Sequence, residues 1–282
     1  MTALIMGVVN VTPDSFSDGG RYVDPDTAVA HGMWLRAEGA NLLDVGGEST
    51  RPGAERVAPR VEQERVLPVV QALAEAGVAV SIDTMNASTA LAAVKAGARI
   101  VNDVSGGLSD PDMLAAVATT TAEVVLGHWR GPSADMYARA EYADVVRDVM
   151  RELAERVDAA AAAGIPPGRV IVDPGIGFGK KGAQNWDVLR ALPRIAGLGH
   201  RVLVGTSRKR FLAEILGTDG TGDDPTVSEA RRDLATAVTS VLAAQSGAWA
   251  VRVHDVIATR DALRIADQWE GQERWTSPTR SR

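Results

Sequence analysis

Short apolar runs alternate along the chain with longer stretches in which apolar residues recur at helical spacing. The apolar runs are Leu4–Val9, Ala40–Val45, Val78–Ile82, Arg99–Val101, Glu123–Leu126, Arg169–Val172, Arg201–Val204 and Ala248–Val253. Their length and β-branched content predict buried strands. Helices are predicted between them, over Asp26–Glu38, Val61–Ala76, Ala87–Ala96, Tyr142–Ala163, Trp186–Ile195, Ser228–Gln245 and Ala258–Trp269. Strand–helix alternation implies a parallel sheet with right-handed crossovers. Eight strands in 282 residues fit an α/β protein of the TIM-type (β/α)8 barrel class, which takes about 250 residues. A doubly wound open sheet is the alternative. Gly39, Gly77, Gly97, Gly164 and Gly247 each follow a helical run and read as the left-handed residue that closes a helix. No linker divides the chain, so 1–282 reads as one domain. Gly217–Pro225 and a polar tail from about 271 to 282 read as mobile surface segments.

Polar residues fall at the ends of the predicted strands. Asn10 follows the first, and Asp44 leads into a Gly-rich loop after the second. Asp83-Thr84, Asn102-Asp103, His128-Trp129-Arg130, Asp173-Pro174-Gly175, Ser207-Arg208-Lys209-Arg210 and Arg252 with His254 mark the other six. Each has an ordinary explanation taken singly. Asp83 and Asn102 suit helix caps, Asp173 suits a turn, and Arg252 and His254 suit a surface strand end. Taken together they match the mouth of a barrel, where all eight strand ends converge and active sites are built.

Composition narrows the chemistry. The hydrophobic fraction of 45% and charged fraction of 23% are those of a soluble globular protein. With no cysteine, zinc ribbons, thiolate catalysis and Cys-held clusters are excluded. A net charge of −6 argues against nonspecific nucleic-acid binding. The apolar run Ala3–Val9 is too short for a membrane span and has no basic segment before it, so the expected location is the cytoplasm.

Asp83, Asn102 and Asp173 suit a flat, nitrogen-rich heterocycle, because a carboxylate accepts two N–H donors from an amino-amidine edge and an amide serves either sense. Lys209 adds a donor and an aliphatic stem to cover a ring. Arg252 and His254, spaced i, i+2 on one strand face, suit an anion. Asn10 lies beside them if the first strand closes against the last, and its amide oxygen suits Mg²⁺ shared with phosphate oxygens. The Gly- and Pro-rich loops Val11–Gly20 and Gly46–Gly53 read as covers.

These residues carry a resemblance. The segments 7–20, 44–53, 81–84, 102–107, 173–180, 205–210 and 252–255 resemble, in order and over almost the whole chain, the dihydropteroate synthases, and most of all their actinobacterial members. The resemblance implies that (7,8-dihydropterin-6-yl)methyl diphosphate condenses with 4-aminobenzoate. It implies Mg²⁺ held by Asn10, with Thr50, Arg252, Val253 and His254 on the diphosphate side. Asp83, Asn102, Asp173 and Lys209 would line the pterin pocket. Phe16, Arg51, Pro52, Phe178 and Arg210 would form the 4-aminobenzoate pocket, with Asp18 closing over the reacting carbon.

With such a substrate, a diphosphate leaving a carbon that the electron-rich pterin can stabilise suggests a cation-like path, with Asp18, Asp83, Asp173, Lys209, Arg252 and His254 as catalytic groups. The resemblance also implies competition by sulfonamides and a homodimer, for which Ser228–Gln245 offers an apolar-rich helix, a pattern that a buried barrel helix shares. Gly127 departs from the family, which commonly has Met there in the pterin pocket. The exchange is expected to enlarge the pocket and to weaken pterin binding by about 1–3 kcal/mol. Two other readings keep the fold: an inactive pterin-binding paralogue, and a corrinoid-linked pterin methyltransferase.

Overall fold

A computed structural model describes residues 3–12, 24–49, 56–132, 137, 140–217 and 227–271. Eight parallel strands form a closed barrel in chain order: β1 (Leu4–Asn10), β2 (Leu42–Gly46), β3 (Val80–Asp83), β4 (Ile100–Asp103), β5 (Glu123–Gly127), β6 (Val170–Asp173), β7 (Arg201–Val204) and β8 (Ala250–Val253). β1 pairs with β8 and closes it. The helices around it are α1 (Pro25–Ala37), α2 (Pro59–Glu75), α3 (Ala87–Lys95), α4 (Met113–Ala118), α5 (Val145–Ala162), α6 (Gly182–Arg190), α7 (Leu192–Ala196), α8 (Arg210–Leu216), α9 (Glu229–Gln245) and α10 (Val256–Trp269). Among the described residues no helix is long and apolar enough to cross a membrane.

Side chains alternate across each strand, and the two faces belong to two cores. Ile5, Leu43, Val101, Val172 and Val253 point outward and pack with the helices. Met6, Leu42, Ile100, Val125, Ile171, Leu203 and Ala250 point inward and fill the barrel, with Leu4, Ala79 and Trp249 against them. This apolar plug places the chemistry, because the inward position two residues further along the strand stands at the mouth. Ile100 is followed in this way by Asn102, Ile171 by Asp173 and Ala250 by Arg252. On β3 the same face carries Ala79, Ser81 and Asp83 in succession.

The five helix-closing glycines have φ of 117°, 78°, 114°, 94° and 95°, a region open to glycine at little cost. Each makes the same pair of bonds. At the end of α1, for example, Gly39 N–H donates to Arg36 O (3.2 Å) and Ala40 N–H to Leu35 O (3.0 Å), so the chain leaves the helix directly into β2.

Some element boundaries differ from the sequence reading. The helix expected over Trp186–Ile195 is two helices, with Pro193 in the first turn of α7, where its missing N–H costs nothing. α4 and α8 are six and seven residues long, too short for helical periodicity to stand out. Segments 13–23, 50–55, 218–226 and 272–282 lie outside the described residues. With them lie Phe16, Asp18, Thr50, Arg51 and Pro52, most of both cover loops, and most of the two segments read as mobile.

Candidate active site

The mouth of the barrel opens into a cleft of about 1630 Å³. Asn10, Asp83, Asn102, Asp173, Phe178, Lys209, Arg210, Arg252 and His254 line it, so the described residues read as site candidates converge, with one exception. Val253 is that exception. Alternation turns its side chain, 1% exposed, into the outer core, so it has no side-chain contact to offer a ligand.

Three strand ends are tied together by one guanidinium. Arg252 donates through Nε to Asp44 Oδ2 (2.6 Å) and through Nη2 to Asp83 Oδ2 (2.8 Å). Asn102 Nδ2 donates to the same Asp44 oxygen (2.9 Å). Arg252 therefore does not present a bare cation to an anion, as the sequence reading had it; two buried carboxylates share its charge. Burial works against the charged guanidinium, but Asp44 and Asp83 hold its pKa above the ordinary value. Burial pushes Asp83 up to about 7, with Arg252 opposing and the Asp44 charge adding to the rise. Asp83 is not a helix cap here, since Asn86 occupies the N-cap position of α3.

Asp173 Oδ1 accepts from Gly175 N–H (2.7 Å), and burial raises its pKa against the pull of Lys209. Burial lowers Lys209 to about 8, with Asp173 opposing. Its Nζ donates to Ile176 O and lies 4.6 Å from the centre of the Phe178 ring. His254 is fixed by Ser207, whose Oγ accepts from His254 N–H (3.1 Å) and lies 2.8 Å from Nδ1. The same hydroxyl thus meets both the backbone and the ring of His254 and fixes the orientation of the imidazole.

Arg208, between Ser207 and Lys209, has φ of 57°, a conformation that costs a non-glycine residue about 1–2 kcal/mol. α9 holds it there. Asp233 accepts from Arg208 Nε (2.7 Å) and Nη2 (2.9 Å), and Thr236 Oγ1 accepts from Arg208 N–H (3.1 Å). The kink sends Ser207 to His254 and Lys209 into the cleft.

Two polar strand ends do not reach the mouth. Asp103, next to inward Asn102, faces outward and accepts from Ser105 N–H (2.8 Å), Ser105 Oγ (2.6 Å) and Gly107 N–H (2.7 Å), closing its own turn. His128, 2% exposed, lies between Lys180 and Glu152. The inward residue at the end of β5 is Gly127, and the expectation of an enlarged pocket there is overturned. A Cβ on Gly127 would stand 2.4 Å from Val104 O, because the backbone after β4 occupies that space.

Asp44 and Lys180 were not singled out as site residues by sequence. Asp44 carried a signal, a carboxylate inside an apolar strand and two residues beyond Leu42. Lys180 stood at the end of segment 173–180, but its burial depends on His128 and on the carbonyl groups of its own loop.

An eight-stranded barrel whose mouth gathers carboxylates, an amide, a lysine and a hydrogen-bonded histidine is the architecture of a TIM-barrel enzyme acting on a polar heterocycle and an anion. The family model described as "Pterin binding enzyme" matches residues 6–254. The dihydropteroate synthase of Mycobacterium leprae is 54% identical over 267 residues, covering 94% of this chain and 93% of that protein. The solved dihydropteroate synthase of Xanthomonas albilineans with 4-aminobenzoic acid superposes with a TM-score of 0.87 at 45% identity, covering 96% and 94% of the two chains. Its complex with 7,8-dihydropteroate gives 0.83 at 42%, covering 96% and 95%. The chain belongs to the pterin-binding enzymes and, among them, to the dihydropteroate synthases.

Glu152 provides a pH marker for the frame of the site. Burial alone would raise its carboxyl, but hydrogen bonds from His128 and Arg130 hold it down at about 2, against 4.5 in an unfolded chain. Its ionisation therefore favours the fold above about pH 4.5, and that contribution is lost as the pH falls toward 2. Urea midpoints measured from pH 7 to pH 2 are expected to fall through this window. They should fall less steeply there in Glu152→Gln, from a lower starting value.

Proposed function

We propose that this cleft condenses (7,8-dihydropterin-6-yl)methyl diphosphate with 4-aminobenzoate to give 7,8-dihydropteroate and diphosphate. The observation that carries the reading is the adjacency, on one rim, of a hydrogen-bonding edge (Asp83, Asn102, Asp173, Lys209) and an anion edge (Arg252, His254). Asp83 and Asn102 each spend one group on the Arg252–Asp44 tie and keep an oxygen for the pterin. Lys209 donates to the ring, and the imidazole of His254 meets the diphosphate. Arg252, 22% exposed and held from below, adds positive charge where the leaving group develops negative charge.

The carbon–oxygen bond to diphosphate breaks first, and the electron-rich pterin stabilises the carbon left behind, with Asp83 and Asp173 nearby. The arylamine then attacks through its nitrogen and releases a proton to solvent. No strong base is required, because an aniline nitrogen is unprotonated near neutral pH. Phe178 and Arg210 border the 4-aminobenzoate side, where sulfonamides would compete. Asp18, Phe16, Thr50, Arg51 and Pro52 keep the roles that the resemblance implies. Water-soluble substrates and a cysteine-free chain fit a cytoplasmic location.

Among the described residues no cluster of three carboxylate or imidazole groups is built to hold a metal. Asn10, on the cleft wall, offers one neutral hard oxygen. That donor suits Mg²⁺ arriving with the substrate, since Mg²⁺ keeps most of its water and is completed by phosphate oxygens. Bound there, the ion would neutralise charge on the leaving diphosphate.

The chain also presents a surface for pairing with a second copy. Leu234, Val238 and Leu242 on α9 are 65%, 52% and 54% exposed, and Ile265 and Trp269 on neighbouring α10 are 71% and 90% exposed. Spacings of four residues align each set on one helix face, forming an apolar patch of the kind that marks an interface.

Three outcomes are expected. The purified chain with Mg²⁺ and both substrates forms 7,8-dihydropteroate and releases diphosphate in equal amounts. That turnover is lost in Lys209→Ala and Arg252→Ala and falls at least tenfold under EDTA; pterin binding without turnover would identify an inactive paralogue. An α-secondary deuterium isotope effect well above unity at the methylene carbon accompanies turnover, whereas a value near unity would rule out the cation-like path. Light scattering gives a dimer at micromolar concentration and a monomer for Leu234→Glu/Val238→Glu.

A further inference from the structure

The loop after β6 is held by a lysine that the proposed reaction does not use. Residues 174–181 contain Gly175, Gly177 and Gly179 with φ of 65°, 82° and 59°. A glycine-rich segment of this kind has many conformations and loses much entropy when fixed. Here its carbonyl groups are held one after another. Lys180, 1% exposed, donates to Gly175 O (2.9 Å), to Phe178 O (3.0 Å) and to His128 Nδ1 (2.9 Å), which uses all three ammonium hydrogens. Tyr142 donates its hydroxyl to Gly179 O (2.8 Å), Asn185 Nδ2 donates to Lys180 O (3.3 Å), and Lys209 Nζ reaches Ile176 O.

The lysine is itself braced. Because His128 Nδ1 accepts from Lys180, the ring hydrogen lies on Nε2 and is donated to Glu152 Oε2 (2.8 Å). Arg130 then grips Glu152 with Nε on Oε2 (3.0 Å) and Nη2 on Oε1 (2.5 Å). Its guanidinium also lies 3.8 Å from the centre of the Tyr142 ring. A connected path thus runs from α5 to the underside of the loop.

We propose that Lys180 is a positioning residue for the second substrate: it fixes the loop so that Phe178 and the Ile176 carbonyl hold their places in the cleft. The substrate named here rests on the function proposed above. Phe178 is the ring of this loop that meets Lys209, and Lys180 holds the carbonyl of Phe178 itself. Releasing Lys180 frees the backbone on both sides of that ring; Asp173 and Lys209 also bond this loop, at Gly175 N–H and Ile176 O, whereas Asp83, Asn102 and Arg252 are tied to one another on other strands. The weakening should therefore fall more heavily on 4-aminobenzoate, whose ring contact Phe178 belongs to the loop, than on the pterin, which keeps Asp83 and Asn102.

Lys180→Met in the full chain keeps the length of the side chain and removes the three donors. With both substrates varied well below the melting temperature, its KM for 4-aminobenzoate is expected to rise tenfold or more. The equilibrium affinity for the dihydropterin diphosphate should change less than threefold, and amide exchange in 174–180 should quicken at least tenfold. A folded variant with both constants within twofold of wild type, or with both substrates weakened equally, overturns the proposal and leaves Lys180 a stability element. Should Lys180→Met fail to fold, Glu152→Gln, which loosens the brace and retains the lysine, is expected to show the same split at about threefold; an unchanged KM then overturns it. A wild-type chain without turnover would defeat the functional reading. Amide exchange in the loop would then decide the positioning claim by itself, with unchanged exchange in the folded variant counting against it.

Discussion

The guanidinium of Arg252 between Asp44 and Asp83 is the constraint on which the mouth of this barrel depends. A charge this deep is tolerated only when it is paired and hydrogen-bonded, and the pairing ties together β2, β3 and β8, with Asn102 on β4 as a fourth party. The arrangement has one cation and two carboxylates, and burial raises the Asp83 carboxyl to about 7 against the pull of Arg252. A ligand that brings N–H donors to Asp83 supplies what the cluster lacks. The arrangement that stabilises the ligand-free mouth is thus the one that prepares it for a pterin edge.

Support for this cluster comes from two directions. Below it the apolar plug fixes the inward register of every strand, so that two residues of β-structure separate packing from chemistry. Outside the barrel, helices reach in at the loops. α9 keeps Arg208 in its left-handed conformation through Asp233 and Thr236, and α5 braces Lys180 through Glu152 and His128. The helix that orders Lys209 also carries the exposed stripe Leu234, Val238 and Leu242. One element thus faces both the site and the surface proposed for pairing.

Gly127 shows how a family comparison at one position misleads without a backbone. Counting side chains, a glycine in place of a methionine is a loss of contact area. In the folded chain the backbone at Val104 takes up that space, and the pocket is closed by main chain instead. Reintroducing a side chain there would displace the turn that follows β4.

Local pattern determined the eight strands, the helix-closing glycines and most of the residues at the mouth, because strand alternation and left-handed turns are encoded within a few residues of each position. It also placed Asp83, Asn102, Asp173, Lys209, Arg252 and His254 in one region, since barrel closure brings all strand ends together once the strand count is known. What it left open were the pairings between distant segments. That Arg252 spends its charge on Asp44, that His128 turns from the mouth to Lys180 and that Val253 faces outward all depend on which side chains meet across the barrel. Those meetings are separated by up to 208 residues along the chain, and only closure of the sheet brings them within hydrogen-bond reach.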